Sequence, residues 1–246
     1  MDLLPLDAVH VDLVHSDTGA AWAQHEAAYR ALLSPDEHDR MSRLIFERDR
    51  RRFLLTRALV RTTLSRYADV PPAGWSFTAN VHGRPEIVDR PRGVPDLRFN
   101  LSHTDGLIAC AVTIGREVGV DVENIGRRLT HDVAGRFFAP REVRDLKQLS
   151  DDEQQRAFFD YWTLKEAYIK ARGFGLALPL ADFAFQLSPS SSPRISFEPS
   201  LEDDPATWQF FQDWPTPQHR LGLAIRRQGA DLPVRIRSVI PDAARR

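Results

Sequence analysis

The sequence predicts an α+β protein built from two similar halves, and two observations carry that prediction. In each half, segments with helical apolar periodicity come first and strand-like segments follow, so helices and strands are segregated rather than interleaved. Of the 246 residues 42% are hydrophobic, and Lys+Arg 33 stands against Asp+Glu 34, which suits a soluble chain with a substantial core. The expected subdomains are 1–115 and 116–246, with the junction near 114–118.

Taken in order, residues 6–14 alternate apolar and polar side chains, the period of a half-buried strand. Thr18 is the expected cap of a helix over 19–33, and Ser34-Pro35-Asp36-Glu37 supplies an N-cap with proline at the first helical position. A third helix over about 49–68 ends at Pro71-Pro72. Strands are expected at 75–78, 97–101, 107–114 and 118–122, with His82-Gly83-Arg84-Pro85 as a turn. In the second half Ala139-Pro140 opens a helix to about 149, and Ser150-Asp151-Asp152-Glu153 opens another that Gly173 stops. Strands follow at 181–187, 194–198, 206–212, 219–226 and 233–240, with the Ser/Pro-rich stretch 188–193 as a loop.

Composition removes several function classes. A formal net charge of −1 does not mark a nucleic-acid binder. The single cysteine, Cys110, excludes an intramolecular disulfide framework and a Cys-rich zinc site, so a reducing compartment, the cytoplasm, is expected. The longest apolar run, Leu107 to Val112, is far short of the roughly 20 residues of a spanning helix, and no basic leader precedes it, so no membrane association is expected. The phosphate loop G-x-x-x-x-G-K-[ST], the dinucleotide motif G-x-G-x-x-G, the nucleophile elbow G-x-S-x-G and the zinc motif H-E-x-x-H are all missing.

Three segments carry candidate chemistry. In Val118-Gly119-Val120-Asp121-Val122-Glu123 a strand places Asp121 and Glu123 on one face. Their repulsion suits a hard cation such as Mg²⁺, and two solvated acids at a strand end are the alternative. In the helix before Gly173, Glu166 and Lys170 are an i,i+4 pair. They form either an exposed salt bridge beside a core of Trp162, Tyr168 and Ile169, or a site in which Glu166 adds a third oxygen and Lys165 or Lys170 faces a phosphate. Only three of the 33 basic residues are Lys, at 147, 165 and 170, which singles out positions where a compact ammonium persists in an arginine-rich chain. In Asn100-Leu101-Ser102-His103, Ser102 and His103 point to opposite strand faces, so they suit phosphate binding better than a nucleophile-base pair; a turn serine and a surface histidine are the alternatives. Finally, residues 37–66 hold nine Arg against four acids, which fits a solvated helix face, a nucleic-acid patch or a clamp on a phosphorylated small molecule, with only Phe46 and Phe53 to stack on bases.

N-L-S-H (100–103), G-V-D-V-E (119–123) and W-T-L-K-E-A-Y-I-K (162–170), in this order and with H-G-R-P (82–85) upstream, resemble the Sfp-type 4′-phosphopantetheinyl transferases over about residues 34–180. Leu33-Ser34-Pro35-Asp36-Glu37 leading to Arg40 and Arg43, then Asp49-Arg50-Arg51-Arg52-Phe53, is similar to the family's N-terminal helix. The resemblance implies two similar α+β subdomains in a pseudo-two-fold arrangement with the active site at their interface. It further implies Mg²⁺-dependent transfer of the phosphopantetheine arm from coenzyme A, the donor substrate, to a serine of an apo acyl or peptidyl carrier protein. Carried over position by position, Asp121, Glu123 and Glu166 match the metal site and Lys170 the pyrophosphate contact. Arg40, Arg84, Ser102 and His103 match the nucleotide end, His103 at the 3′-phosphate. The catalytic set is thus Glu166, Lys170, Asp121 and His103, in a monomer. Trp162 with Lys165-Glu166-Ala167 resembles the branch acting on peptide and polyketide synthase carriers. Glu37, where some members carry a cation, and Leu44, in place of a frequent Phe, depart from the pattern. The alternatives are an inactive coenzyme A or carrier-protein binding module and, against the scarcity of stacking aromatics, a basic-helix nucleic-acid binder.

Overall fold

The computed structural model describes residues 3–5, 7–16, 19–126, 133–175, 178–188 and 190–243. In chain order its elements are β1 (Val9–His15), α1 (Gly19–Arg30), α2 (Pro35–Ser42), α3 (Glu47–Leu64), β2 (Ser76–Ala79), β3 (Pro85–Val88), β4 (Leu97–Thr104), β5 (Leu107–Ile114), β6 (Val118–Asn124), α4 (Val133–Phe137), α5 (Pro140–Lys147), α6 (Asp151–Arg172), β7 (Phe183–Ser188), β8 (Ser191–Phe197), β9 (Trp208–Thr216), β10 (His219–Arg226) and β11 (Val234–Ser238). The class is α+β. Thr18, the expected cap of α1, lies outside the described residues.

The chain divides into two compact units, residues 1–79, 85–115 and 232–246 in the first and residues 80–84 and 116–231 in the second. Relative to the expected 1–115 and 116–246, two segments change sides. The larger does so because β11 pairs in parallel with β1, from Val9 opposite Val234 to Leu13 opposite Ser238. A hydrophobic pattern read along the chain identifies a strand but not its partner.

In the first unit the sheet order is β11-β1-β5-β4. Helix α3 covers it with Leu54, Leu55, Ala58, Leu59 and Leu64, which share a core with Phe99, Ile108, Cys110 and Val112. Asp12, fully buried on β1, is bonded by Arg237 from β11 and by the Thr63 hydroxyl of α3 at 2.9 Å. The expected turn at 82–85 lies between the strands of a hairpin, because Pro85 opens β3 opposite Ala79, and the first residue of an edge strand tolerates proline.

In the second unit β6, β10 and β9 form an antiparallel sheet in the order β6-β10-β9, and α6 lies on it. The close approach depends on two strand glycines. A Cβ on Gly119 would stand 2.0 Å from the Ala167 carbonyl oxygen, and one on Gly222 would stand 2.5 Å from the Thr163 carbonyl carbon. Both obstacles are helix backbone, so α6 itself must shift to admit a side chain. Gly119→Ala is therefore expected to destabilise the protein by about 1–3 kcal/mol in urea unfolding, the usual scale of overpacking, and an unchanged midpoint would show that α6 is not seated there. Strands β7 and β8 pair through Phe183 opposite Phe197. Strand β8 begins at Ser191, so the expected 188–193 loop is confined to the turn between the two strands. Among the described residues no helix is long and apolar enough to cross a membrane.

Candidate active site

Helix α6 starts and stops where its sequence says. The Ser150 N–H donates to Glu153 Oε2 at 3.1 Å, and Gly173, at φ 71°, turns its N–H back onto the Ile169 carbonyl at 3.0 Å. Glu166 and Lys170, one turn apart, share a face. The Lys170 ammonium meets Asp121 Oδ1 of β6 at 2.7 Å, and Trp162 Nε1 donates to Glu123 Oε1 at 3.2 Å. Burial pushes the Glu166 carboxyl up to about 7; Asp121 adds to the push, Lys170 opposes it and Glu123 adds a smaller one. The structure thus brings Asp121, Glu123, Glu166 and Lys170 into one electrostatic neighbourhood, and Glu166 is half-buried rather than part of an exposed surface pair.

Among the described residues no group of three or more His, Cys, Asp or Glu side chains is arranged as a ready metal cluster, and Lys170 engages Asp121. The donor chemistry nevertheless fits a hard divalent cation. The set is all carboxylate oxygen; burial raises Glu166 most, and the further repulsion from Asp121 and Glu123 is what such an ion relieves.

Of the two lysines offered for a phosphate, Lys165 is excluded by its surroundings. It is fully buried, with Nζ 2.8 Å from Glu142 Oε2 and donating to the carbonyls of Leu180 at 2.8 Å and Phe183 at 2.6 Å. Burial draws its ammonium down to about 8, against the pull of Glu142. Lys170 is the partly exposed one. Lys170→Arg is expected to lower turnover about tenfold with the fold intact, because a planar guanidinium does not replace a compact ammonium, whereas full activity would mean that any cation serves.

Three of the four residues expected at the nucleotide end belong to the first unit. On β4, Ser102 is buried and His103 exposed, the alternation that a strand imposes. Arg40 on α2 is exposed, its guanidinium 5.9 Å from the Phe53 ring centre, with Arg57 at 5.2 Å from the same ring. Glu37, the residue that departs from the family pattern, caps α2 by accepting the Ser34 N–H at 3.0 Å and also binds Arg61 at 2.7 Å and Arg57 at 3.4 Å. Glu47 and Asp49 pair with Arg50 and Arg52, so acids within the arginine-rich 37–66 stretch neutralise part of it. Arg84 lies in the second unit. Its Nη1 donates to the carbonyls of Lys170 at 3.0 Å and Ala171 at 2.7 Å, and its Nη2 to that of Val118 at 3.3 Å.

Sequence reasoning missed two acids of the second unit. Glu142 is the counter-ion of Lys165, and Asp203 bonds Tyr168 and Arg172 of α6. The fully buried state of Glu142 has no local signature, and Asp203 stands in an acidic run, Glu202-Asp203-Asp204, that reads as a solvated loop.

Known proteins align with both units. The family model of the 4′-phosphopantetheinyl transferase superfamily matches residues 117–224, and that of the 4′-phosphopantetheinyl transferase N-terminal region matches residues 20–114. The 4′-phosphopantetheinyl transferase HetI of Nostoc sp. is 38% identical over 197 residues, covering 79% of this chain and 80% of its own length. A 4′-phosphopantetheinyl transferase of Bacillus subtilis is 35% identical over 165 residues, covering 67% and 71%, and Sfp of Bacillus subtilis strain 168 is 33% identical over 159 residues, covering 65% and 68%. The first of these identities extends over four fifths of both chains, and the acids of β6 and the Glu-Lys face of α6 lie within the matched region, so this chain belongs to the 4′-phosphopantetheinyl transferase superfamily.

Proposed function

We propose that this protein transfers the 4′-phosphopantetheine arm of coenzyme A to a serine hydroxyl of an apo acyl or peptidyl carrier protein, releasing 3′,5′-ADP. The observation that carries the reading is the convergence of Asp121, Glu123 and Glu166 with the Lys170 ammonium. The serine oxygen attacks the β-phosphorus of the pyrophosphate and gives up its hydroxyl proton, and the bond from that phosphorus to the bridging oxygen breaks, so that oxygen leaves with 3′,5′-ADP and carries the negative charge. In such a transfer positioning and charge stabilisation supply most of the acceleration. Lys170 presents a point charge that exchanges its Asp121 partner for a phosphate oxygen. Asp121, Glu123 and Glu166 would hold Mg²⁺, which when bound neutralises charge on the pyrophosphate. Arg40, Arg84, Ser102 and His103 hold the nucleotide end, a role supported by the exposure of Arg40 and His103. Trp162-Thr163-Leu164-Lys165-Glu166-Ala167 points to peptide and polyketide synthase carriers. The same reading has the enzyme working as a cytoplasmic monomer, in keeping with a lone, buried Cys110.

The test is the intact mass of apo carrier proteins incubated with the protein, coenzyme A and Mg²⁺, beside an EDTA control and a carrier whose serine is replaced by alanine. The expected result is a gain of one phosphopantetheine that requires both metal and serine. No gain on any of several acyl and peptidyl carriers overturns the reading.

A further inference from the structure

Behind the face of α6 that carries Glu166 and Lys170, a single carboxylate fastens the helix. Tyr168 and Arg172 are one turn apart and lie two residues from Glu166 and Lys170, about 200° around the helix. Both bond Asp203, the hydroxyl of Tyr168 at 2.8 Å and Arg172 through Nη1 to Oδ2. Asp203 also accepts from Trp208 Nε1 at 2.9 Å, from Arg226 Nη1 at 2.9 Å and from the Asp204 N–H at 2.8 Å. Its side chain is only 5% exposed. Arg226 continues the chain of bonds: its Nε meets Glu117 Oε2 at 3.0 Å, and its backbone N–H donates to the Glu117 carbonyl at 2.9 Å. Glu117 immediately precedes β6, the strand of Asp121 and Glu123. One carboxylate outside both elements therefore ties the helix that carries Lys170 to the strand that carries the acids.

The seating of α6 gives this tie a task. At Gly119 and Gly222 the helix lies directly on strand backbone, and around those two contacts its side chains Phe159, Leu164 and Tyr168 join the core with Phe183, Trp208 and Phe210. Directional, charge-assisted hydrogen bonds to a buried carboxylate fix one geometry more sharply than apolar packing alone. We propose that Asp203 is a positioning residue for the transfer reaction, fixing the rotation of α6 and its register against β6, and so the place of the Lys170 ammonium. This inference rests on the function proposed above.

The test compares the full-length wild type, Asp203→Asn, Lys170→Ala and the double variant by kcat, by KM for the carrier and by thermal melting. Asparagine keeps the shape but offers one acceptor oxygen and turns an NH₂ toward the donors. The expected result for folded Asp203→Asn is a kcat lowered about 10- to 100-fold with KM for the carrier unchanged, the scale of a misplaced catalytic group. The double variant is expected to be no slower than Lys170→Ala alone, because Asp203 acts through Lys170. Wild-type kcat in folded Asp203→Asn, or a double variant slowed by the product of the two single effects, overturns the inference. If Lys170→Ala turns over too slowly to measure, the split between kcat and KM decides. If Asp203→Asn does not fold, Tyr168→Phe removes one donor and leaves the carboxylate in place, and the same split in kcat is read on it. A wild type that modifies no carrier overturns this inference together with the proposed function. An active wild type with an unaffected Asp203 variant overturns this inference alone.

Discussion

Glu166→Gln is expected to lower turnover by on the order of 10³-fold while the protein melts no lower than the wild type. The amide keeps the shape of the side chain and removes the charge, so the loss isolates electrostatics at the reacting phosphate, where a single preorganised group is worth about 10²–10³ in kcat. The stability half of the expectation follows from the raised pKa of this carboxyl. A carboxyl shifted from 4.5 to about 7 holds its proton more tightly in the folded chain than in the unfolded one. Folding is therefore penalised as pH rises between those values, and the whole penalty is present above about pH 7. In EDTA at pH 8 the glutamine variant escapes that penalty, and near pH 4 it gains nothing. Paired activity assays and melting curves read both halves. A variant that retains turnover, or one that loses activity only because it unfolds, sinks the assignment of Glu166. Asp121→Ala is expected to be as inactive, since it removes the partner of Lys170 as well as an oxygen of the acid set.

Lys165→Met is expected to cost about 3–5 kcal/mol of stability, one residue away and for an unrelated reason. Its ammonium and the Glu142 carboxylate are both fully buried, and the lysine also satisfies the carbonyls of Leu180 and Phe183. Methionine fills the space of the stem and leaves the fully buried Glu142 charged without its counter-ion, or forces it to take up a proton. Glu142 in turn accepts the N–H groups of Ala139 at 3.0 Å and Phe185 at 2.7 Å, so its displacement loosens α5 and β7 together. Adding Glu142→Gln to Lys165→Met removes the stranded charge, keeps an acceptor for Phe185 and is expected to restore most of the loss. Urea unfolding of the two single variants and the double variant completes the cycle. A single Lys165→Met variant within about 1 kcal/mol of the wild type shows that the pair contributes little.

Most of the helices and the long strands were legible because each answers to a local rule. Ser34 and Ser150 cap where a small hydroxyl precedes an acid three residues on, and the strand Leu107 to Ile114 reads as buried because its first six residues, to Val112, are continuously apolar. The elements that went unread have weak local signals. Strand β3 opens on a proline and α4 spans only five residues, while β8, expected from 194, begins three residues earlier in a stretch of serine and proline. The candidate site divides in the same way. Asp121 with Glu123, and Glu166 with Lys170, could be found because strand and helix periods place them on common faces. The choice between Lys165 and Lys170 could not be made from spacing, since it turns on an acid 23 positions upstream in the numbering that only the packing of α5 against α6 brings near. Asp203 is 31 residues from Arg172 and 35 from Tyr168, and no period connects them.

The parallel pairing of β11 with β1 also bears on how the chain matures as a ribosome extends it. The second unit's main segment is a continuous run from residue 116 to 231, so nearly all its partners have emerged before β11 is made. The first unit is begun earlier and finished later. Until residues 234–238 are synthesised, β1 presents an open edge to other strands, and Asp12 lies in a nascent core without the guanidinium of Arg237. Of the two units, the one begun earlier is therefore the one completed later: its β1 edge waits for β11, and Asp12, already bonded by Thr63 and near Arg66, waits for Arg237.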